Sequence, residues 1–296
     1  MCCVDKDPQV SVVIASPGGD PRLGDCIASF LEQGRDIEVI VACGPDVNVP
    51  LDGARLRVLR ANRRRSIPEL RADGLAAARA PIVAMTEDHC VAAPGWLTAV
   101  LDAHRAPAAA VGGAVENRAT TRTVDWAVYL CEYGRYMLPF DGGPSRDLPG
   151  SNVSYKRDAL ADIDALIRGG AWEPFWHDGL AARGCVLTRD PAIVVYHDKR
   201  FTFGGFMRER YHYARSFAGQ RVAAASAMRR LLFAAGTPLL PALLLVRLAA
   251  AILPKRRHRG RLLQAAPLVA AFTLAWAIGE AVGYLAGPGT SATRIA

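Results

Sequence analysis

The chain has 296 residues, of which 51% are hydrophobic, and this length excludes a single small module while fitting one large domain with an appendage. Residues 201–296 hold 13 of the 36 basic residues and 2 of the 28 acidic ones, so subtraction leaves 23 basic and 26 acidic residues in the first 200. Because the positive excess is interleaved with apolar runs, the composition predicts contact with anionic lipids and excludes nucleic acid as a partner.

The beginning of the chain carries no sign of export. The stretch MCCVDKDPQV places Asp5, Lys6 and Asp7 where a secretory signal needs an apolar core, so no cleavable signal peptide is expected. The seven scattered cysteines show no CxxC spacing and indicate a reducing compartment. We therefore predict a cytoplasmic catalytic domain.

The first half of the chain alternates β-branched runs with helical segments. Strands are predicted at residues 10–16, 37–44, 54–61 and 81–88, and helices at residues 23–34 and 66–80. This alternation predicts parallel βαβ units. Ligands of such sheets bind beyond the carboxyl ends of the strands.

The strand at 81–88 runs into three polar residues, Glu87, Asp88 and His89. In a parallel sheet they would share one rim with residues 16–18 and 43–46, which follow the first two strands. Carboxylates and an imidazole at one rim can hold Mg²⁺ or Mn²⁺ and leave coordination positions for a diphosphate. The alternative interpretation is a polar strand end with a helix cap.

The order of these segments resembles that of a known enzyme family. The run VSVVIAS, LGDCIASFLEQ, IEVIVACG and ELRADGLAAARAPIVAMTEDHCVAAPGWL is similar to the nucleotide-binding half of family 2 glycosyltransferases. In that family a strand ends in an acidic DxD-type motif, and Glu87 to His89 stand in its place. Downstream, AVGGAVEN, LPGSNVSYKRDAL and AWEPFWHDGLAARGCVLTRDPAIVVYH resemble the next strand, the donor-sugar segment and the base region.

The resemblance covers about residues 9–200 and implies a GT-A catalytic domain over residues 1–200, an α/β fold with a mostly parallel central sheet flanked by helices. It also implies a nucleotide-diphosphate sugar as donor and Mn²⁺ or Mg²⁺ as cofactor. Asp88 and His89 would then bind the metal or its water, with Glu87 nearer the ribose or donor sugar. His89 replaces the usual Asp, and an imidazole suits Mn²⁺ better than Mg²⁺. His197 would reach the same diphosphate, or serve a structural purpose.

Several further positions match donor contacts of the family. Ser16 and Pro17 follow the first strand, and Asp46 stands two residues beyond Gly44, near where the family carries an Asp that holds the base. Arg71 matches a basic position in the helix before the acidic motif. Asn152 lies in a Gly-Ser-Asn turn that would approach the donor sugar, although this tripeptide is also generic turn chemistry.

The proposed general base is Glu173, which the resemblance places in the family's base region. Its neighbours Trp172, Phe175 and Trp176 would desolvate the carboxylate, make it a stronger base and stack on a sugar. Because Pro174 follows where the family commonly shows a second acid, Asp178 is the fallback. The alternative for Glu173 is a surface carboxylate at a helix start.

The last third of the chain predicts membrane contact. Residues 201–230 carry Phe206, Tyr213 and Phe217 near one helical face beside several arginines, which indicates an amphipathic interface helix or a core helix. Residues 231–296 hold two apolar runs, 231–253 and 262–287, each longer than the ~20 residues of a membrane span.

The topology of these runs is constrained by charge. Two simple spans with a cytoplasmic catalytic domain would put the basic loop at 254–261 outside, against the positive-inside tendency. We therefore predict a Pro-broken re-entrant or interfacial hairpin for the first run and a possible span for the second.

Three functions are compatible with the sequence. The first is a membrane-associated, inverting glycosyltransferase with a lipid-linked or membrane-proximal acceptor. The second is a nucleotidyltransferase, for which SPGGDPRLG is a faint match to a Gly-rich phosphate loop. The third is a catalytically inactive membrane scaffold, which the missing Asp after the second strand and the missing acid after Glu173 keep open.

Overall fold

A computed structural model describes residues 7–295, which divide into two compact units. The first unit contains residues 7–116 and 138–198, and the second contains residues 117–137 and 199–295. The first unit ends at residue 198, and residues 117–137 belong to the second unit, which differs from the three-part division expected from the sequence. The expected absence of a signal peptide concerns a segment of which residues 1–6 lie outside the described part.

The first unit is built on one mixed sheet. Its described strands are β1 (Val10–Ser16), β2 (Ile37–Cys43), β3 (Leu56–Arg60), β4 (Ile82–Glu87), β5 (Cys90–Ala92), β6 (Ala110–Asn117), β7 (Gly143–Pro144), β8 (Asn152–Lys156) and β9 (Leu187–His197). Their order is β3-β2-β1-β4-β8-β6-β9-β5, and β7 pairs with β9. Strands β3, β2, β1 and β4 are parallel, whereas β8 pairs antiparallel with β4 and β6. The parallel half is the βαβ region that the sequence predicts.

Some helices belong to the first unit with this sheet, and the others form the second unit. In chain order they are α1 (Leu23–Leu31), α2 (Ile67–Ala77), α3 (Trp96–Ala103), α4 (Thr123–Tyr133), α5 (Arg157–Ala161), α6 (Asp164–Arg168), α7 (Glu173–Ala182), α8 (Phe203–Arg221), α9 (Ala227–Gly236), α10 (Leu240–Ile252) and α11 (Arg259–Ala286). Helices α4 and α8 to α11 belong to the second unit.

Helix α2 is fixed by local signals and by close packing. Ser66 caps it, and the Glu69 carboxylate accepts a hydrogen bond from the Ser66 backbone N–H, which completes a capping box. Pro68 in the first turn removes an N–H that has no helical partner. At Gly74 a Cβ would overlap Val13 of β1, so glycine allows the helix to lie directly on the strand. This contact places α2, and with it Arg71, against the sheet.

Gly74→Ala should therefore destabilise the protein by about 1–3 kcal/mol, because the new methyl group must displace a buried β-branched side chain. Denaturant unfolding measures this loss. The matched control is Gly204→Ala in α8, since a Cβ at Gly204 meets nothing within 4 Å. Equal stability of the two variants would contradict the close packing.

A buried histidine makes stability depend on pH. Burial lowers the pKa of His104 to about 4, with a smaller contribution from the charge of Lys156, and Ser154 Oγ lies 2.8 Å from His104 Nε2. Below pH ~6.5 the His104 imidazole binds a proton in the unfolded chain but stays neutral in the folded chain. The free energy of unfolding therefore falls as pH drops towards 4. We expect a loss of about 2 kcal/mol near pH ~5. Urea titrations of wild type and His104→Gln test this: the variant should lose less, and equal losses would contradict it.

The second unit packs along glycines. A Cβ at Gly279 of α11 would overlap the Tyr211 carbonyl, and one at Gly283 would overlap the Arg215 carbonyl. Helices α8 and α11 therefore approach at backbone distance, as in small-residue helix seams. The Glu280 carboxylate of α11 accepts hydrogen bonds from Trp276 Nε1 and Tyr284 Oη, each at 2.6 Å, which satisfies this buried acid.

The first apolar run differs from its prediction. Residues Ala227–Lys255 are helical throughout, with short 3₁₀ turns at 237–239 and 253–255, and do not break into a hairpin. Pro238 and Pro241 each occupy the first turn of their helical segment, where the missing N–H costs no helical hydrogen bond. Ala227–Lys255 and Arg259–Ala286 are both long and apolar enough to cross a membrane. The chain reverses between them, at the basic turn.

Candidate functional site

A polar cluster lies where β1 and β4 end. The two strands pair in parallel with Ala15 opposite Glu87, which brings Ser16 beside Asp88. Ser16 Oγ donates a 2.6 Å hydrogen bond to Asp88 Oδ2, and Asp88 Oδ1 lies 2.9 Å from His89 Nδ1. Glu87 Oε2 lies 3.1 Å from the other ring nitrogen of His89. One imidazole therefore links both carboxylates of the acidic motif.

His197 joins this cluster through the other half of the sheet. Strand β9 pairs with β5 so that His197 stands opposite Cys90, and its ring meets the His89 ring edge-to-face with centroids 4.7 Å apart. Burial opposes ionisation of Glu87, but the hydrogen bond from His89 and the charges of His89, Arg71 and His197 outweigh it and hold the pKa of Glu87 well below its usual range. These neighbours keep the Glu87 carboxylate ionised.

Within residues 7–295, two overlapping sets of side chains could hold a metal ion. The sets are Glu87, His89 and His197, and Asp20, Asp88 and His89, with the donor atoms of each set within 4.8 Å of one another. Carboxylate oxygens with one or two imidazoles are a donor set that fits Mn²⁺. Sequence reasoning missed Asp20, although it stands in the PGGDP loop directly after β1, on the rim already singled out.

A buried ion pair lies beside the cluster. Arg71 of α2 and Glu173 of α7 are paired with side-chain exposures of 3% and 5%, and Arg71 Nη2 donates to the Gly150 carbonyl at 2.9 Å. The same Nη2 lies 4.0 Å from Glu87 Oε1. Burial alone would lower the pKa of Arg71, but the charges of Glu173 and Glu87 raise it, so the guanidinium stays charged between two carboxylates. Arg71 thus connects the acidic motif to the proposed base.

The profile described as Glycosyl transferase family 2 matches residues 11–164, slightly more than half of the chain. The chain belongs to this family. No curated protein sequence matches it significantly.

Many solved structures are similar to this glycosyltransferase, including two that contain a nucleotide or nucleotide sugar with Mn²⁺. Mannosyltransferase PcManGT from Pyrobaculum calidifontis, solved with GDP-Man and Mn²⁺, is 18% identical, covers 93% of this chain and 87% of its own, and superposes with a TM-score of 0.55. GalNAc-T7, solved with UDP, GalNAc and Mn²⁺, is 16% identical with a TM-score of 0.48 over 65% of this chain. The glycosyltransferase spans 43% of the GalNAc-T7 chain. The predicted GT-A fold is confirmed.

Removal of the Arg71 charge should destabilise the glycosyltransferase, because Glu173 would remain buried without its counter-ion. We expect Arg71→Met to cost about 3–5 kcal/mol and the double variant Arg71→Met/Glu173→Met to regain much of that loss. Denaturant unfolding of the complete cycle measures both. Arg168→Met removes an exposed ion pair with Asp164 and should change little, so a similar loss there would contradict the assignment.

The two predicted base candidates lie in different environments. Glu173 opens α7 and is 4% exposed, on the face that also buries Trp176, His177 and Leu180. Asp178 follows five residues later, about 140° around the helix from Glu173, and is exposed. The structure therefore does not bring the fallback base to the site, because the helical period turns it away.

Ser16, Pro17 and Asp46, which are expected to contact the donor, lie at the end of β1 or in the loops after β1 and β2, but they differ in burial. Ser16 lies in the cluster, and the Gly44 N–H donates to the Ser16 carbonyl at 3.1 Å, so the loops after β1 and β2 meet. Pro17 is buried there and packs so closely on Gly44 that a Cβ at Gly44 would overlap the Pro17 carbonyl. Asp46 is exposed in the second loop.

Asn152 makes three hydrogen bonds inside the first unit. Its side-chain N–H groups donate to the Ala114 and Ile193 carbonyls at 2.8 and 3.0 Å, and its side-chain oxygen accepts from Trp96 Nε1 at 3.1 Å. The amide is 2% exposed and links β8 to its neighbours through these hydrogen bonds. A polar residue in a turn-like tripeptide gave no sign of these three internal partners.

Proposed function

We propose that this family 2 glycosyltransferase transfers a sugar from a nucleotide-diphosphate sugar to an acceptor hydroxyl, with inversion and with Mn²⁺ or Mg²⁺ at the rim cluster. The observation that carries the proposal is the junction of Glu87, Asp88, His89 and His197 at the ends of parallel strands, connected through Arg71 to Glu173. The occurrence of GDP-Man and Mn²⁺ in the structure of PcManGT supports this choice of donor class and metal.

The rim residues divide the work by their chemistry. Asp88 and His89 would hold the metal, with Asp20, Glu87 or His197 completing the set. When bound, the metal neutralises charge on the departing diphosphate. The Ser16 hydroxyl keeps Asp88 Oδ2 oriented towards the rim. The loops after β1 and β2, which contain Pro17 and Asp46, would hold the nucleotide.

Glu173 would serve as the base. The acceptor oxygen forms a bond to the anomeric carbon as the bond from that carbon to the diphosphate oxygen breaks, and the acceptor proton passes to the Glu173 carboxylate. Attack from the face opposite the diphosphate inverts the configuration. Arg71 fixes the carboxylate through their ion pair and opposes random reorientation of the side chain.

A lipid-linked or membrane-proximal acceptor fits the second unit. Two apolar helices of 29 and 28 residues follow the catalytic unit, and most of the apolar stretch of the first is exposed. An enzyme held at a membrane meets acceptors there. An inactive scaffold would share this feature, so activity must separate the two possibilities.

Thermal unfolding with a panel of nucleotide-diphosphate sugars, with and without Mn²⁺ or Mg²⁺, tests the donor site. A ligand that binds only the folded protein raises its unfolding temperature, so one nucleotide should stabilise the protein in a metal-dependent manner. Slow hydrolysis of that donor would then show that the site is active. Stabilisation without hydrolysis or transfer to any acceptor supports the scaffold, and no stabilisation of folded protein rejects the proposed function.

A further inference from the structure

We infer that helices α9 to α11 attach the protein to one leaflet of an anionic lipid bilayer and lie in its plane, with both ends of each apolar helix on the same side of the membrane. This inference rests on the proposed membrane association and specifies its geometry.

Helix α8 limits how deep α11 can go. The two helices lie side by side from the Phe206 and Phe272 rings, whose centroids are 4.5 Å apart, to Ala218, which a Cβ at Gly283 would touch at 2.8 Å. Helix α8 also carries charge along its length: Arg208, Glu209, Arg210, Arg215 and Arg221. These arginines are spread over about 20 Å of helix. If α11 crossed the hydrocarbon core, the neighbouring α8 would also enter it and carry these arginines into the core. Arginines inside a membrane are rare and energetically costly.

The basic turn at 254–261 is fixed to α4. The Trp126 ring lies 4.6 Å from the His258 ring and 5.8 Å from the Arg261 guanidinium, and Lys255 donates to the Met137 carbonyl. Residues 117–137 are joined by peptide bonds to the first unit at both ends, at 116 and at 138. Within residues 7–198, the structure describes no helix that is long and apolar enough to cross a bilayer. The turn therefore stays on the side of the membrane from which the chain entered.

Each apolar helix is long enough in total to cross a membrane, but charged residues interrupt both. Between charged residues, the uncharged stretches are 231–246 and 262–279, or 16 and 18 residues. As helices they extend about 24 and 27 Å, less than the ~30 Å hydrocarbon core.

One face of the first apolar helix suits a lipid surface. Six of its exposed apolar side chains recur every three, four or seven residues and form one stripe, with the exposed Leu231 beside it: Met228, Leu232, Leu239, Leu243, Val246 and Leu253. The stripe itself contains no charged residue, although the exposed Arg247 directly follows Val246, and the other charges lie at the ends: Arg229 and Arg230 at one, the basic turn at the other. An apolar stripe between two basic ends complements a leaflet with anionic headgroups. It also removes the conflict with the positive-inside tendency, since no basic loop is translocated.

Cysteine labelling of the full chain in spheroplasts tests the geometry. Ala224→Cys and Gly260→Cys place thiols at exposed positions before the first apolar helix and in the turn. A membrane-impermeant maleimide should give the same result at both positions: either both thiols are labelled in intact spheroplasts, or both are labelled only after lysis. Labelling of the two positions from opposite sides would establish a span and overturn the inference while leaving membrane association intact.

Vesicle binding tests the surface. Leu239→Glu, at a side chain that is 73% exposed, should weaken binding to phosphatidylglycerol vesicles about tenfold, whereas Val186→Glu, at a 47% exposed residue of the first unit, should not. Arg229→Gln/Arg230→Gln should reduce the preference for phosphatidylglycerol over phosphatidylcholine. Unchanged binding of Leu239→Glu, or a dimer that this substitution dissociates, would overturn the inference. Failure of the wild type to bind any membrane would reject membrane association itself, while donor stabilisation would still report on the catalytic proposal.

Discussion

Asp88→Ala should abolish metal-dependent stabilisation by the donor and reduce transfer by about a hundredfold or more, because a lost metal ligand removes several kcal/mol of charge stabilisation from the departing diphosphate. Asp88 is the only acid of the described rim cluster that is bonded to both Ser16 and His89. The measurement pairs thermal unfolding, with Mn²⁺ and the donor, with steady-state transfer.

Two matched variants make this result specific. Asp102→Ala removes an exposed aspartate of α3 with a side chain 56% exposed, and it should behave as wild type. Ser16→Ala keeps the carboxylate but removes its orienting hydrogen bond, so a smaller loss of about tenfold is expected, as for other residues that orient a metal ligand. Metal-dependent stabilisation that survives in Asp88→Ala would show that the ion binds elsewhere or that none is used.

Glu173→Gln should reduce the rate of transfer by about 10²–10⁴-fold and leave donor binding largely intact, because the amide cannot accept the acceptor proton. The substitution keeps the size of the side chain beside Arg71 and Gly150. A large fall in kcat with little change in metal-dependent stabilisation by the donor is the expected signature.

Asp178→Asn is the control for this prediction. Asp178 lies on the same helix but is exposed and turned away from Glu173, so its loss should change kcat little. If Asp178→Asn abolished transfer and Glu173→Gln did not, the assignments would be reversed. If stabilisation by the donor disappeared in Glu173→Gln, the main role of Glu173 would be structural, through its ion pair with Arg71, and not catalytic.

The features that the sequence predicts well are those determined by neighbours along the chain. Strand β1 begins and ends where its β-branched run does, and the polar residues after β4 lie at the expected rim because parallel strands end together. Ser66 and Glu69 announce the start of α2. The family resemblance then placed Asp88, His89 and His197 in one site, and the structure brings their side chains together.

What the sequence could not predict depends on contacts between distant segments. The pairing of Arg71 with Glu173 joins residues 102 positions apart, and neither residue signals the other. The three partners of Asn152 come from β6, β9 and α3, so its burial appears only when the sheet closes. The Pro-broken hairpin predicted for the first apolar run does not form, because Pro238 and Pro241 lie in the first turns of helical segments.

The assignment of α4 to the second unit has a practical consequence for anyone who wishes to prepare the catalytic unit alone. Cutting the chain after residue 198 would remove α8 to α11 but leave α4, whose buried side chains include Trp126, Tyr129 and Leu130. Loss of α11 would expose these side chains as a hydrophobic patch that promotes aggregation. A soluble fragment therefore needs two edits: a stop after residue 198 and a short replacement loop for residues 117–137.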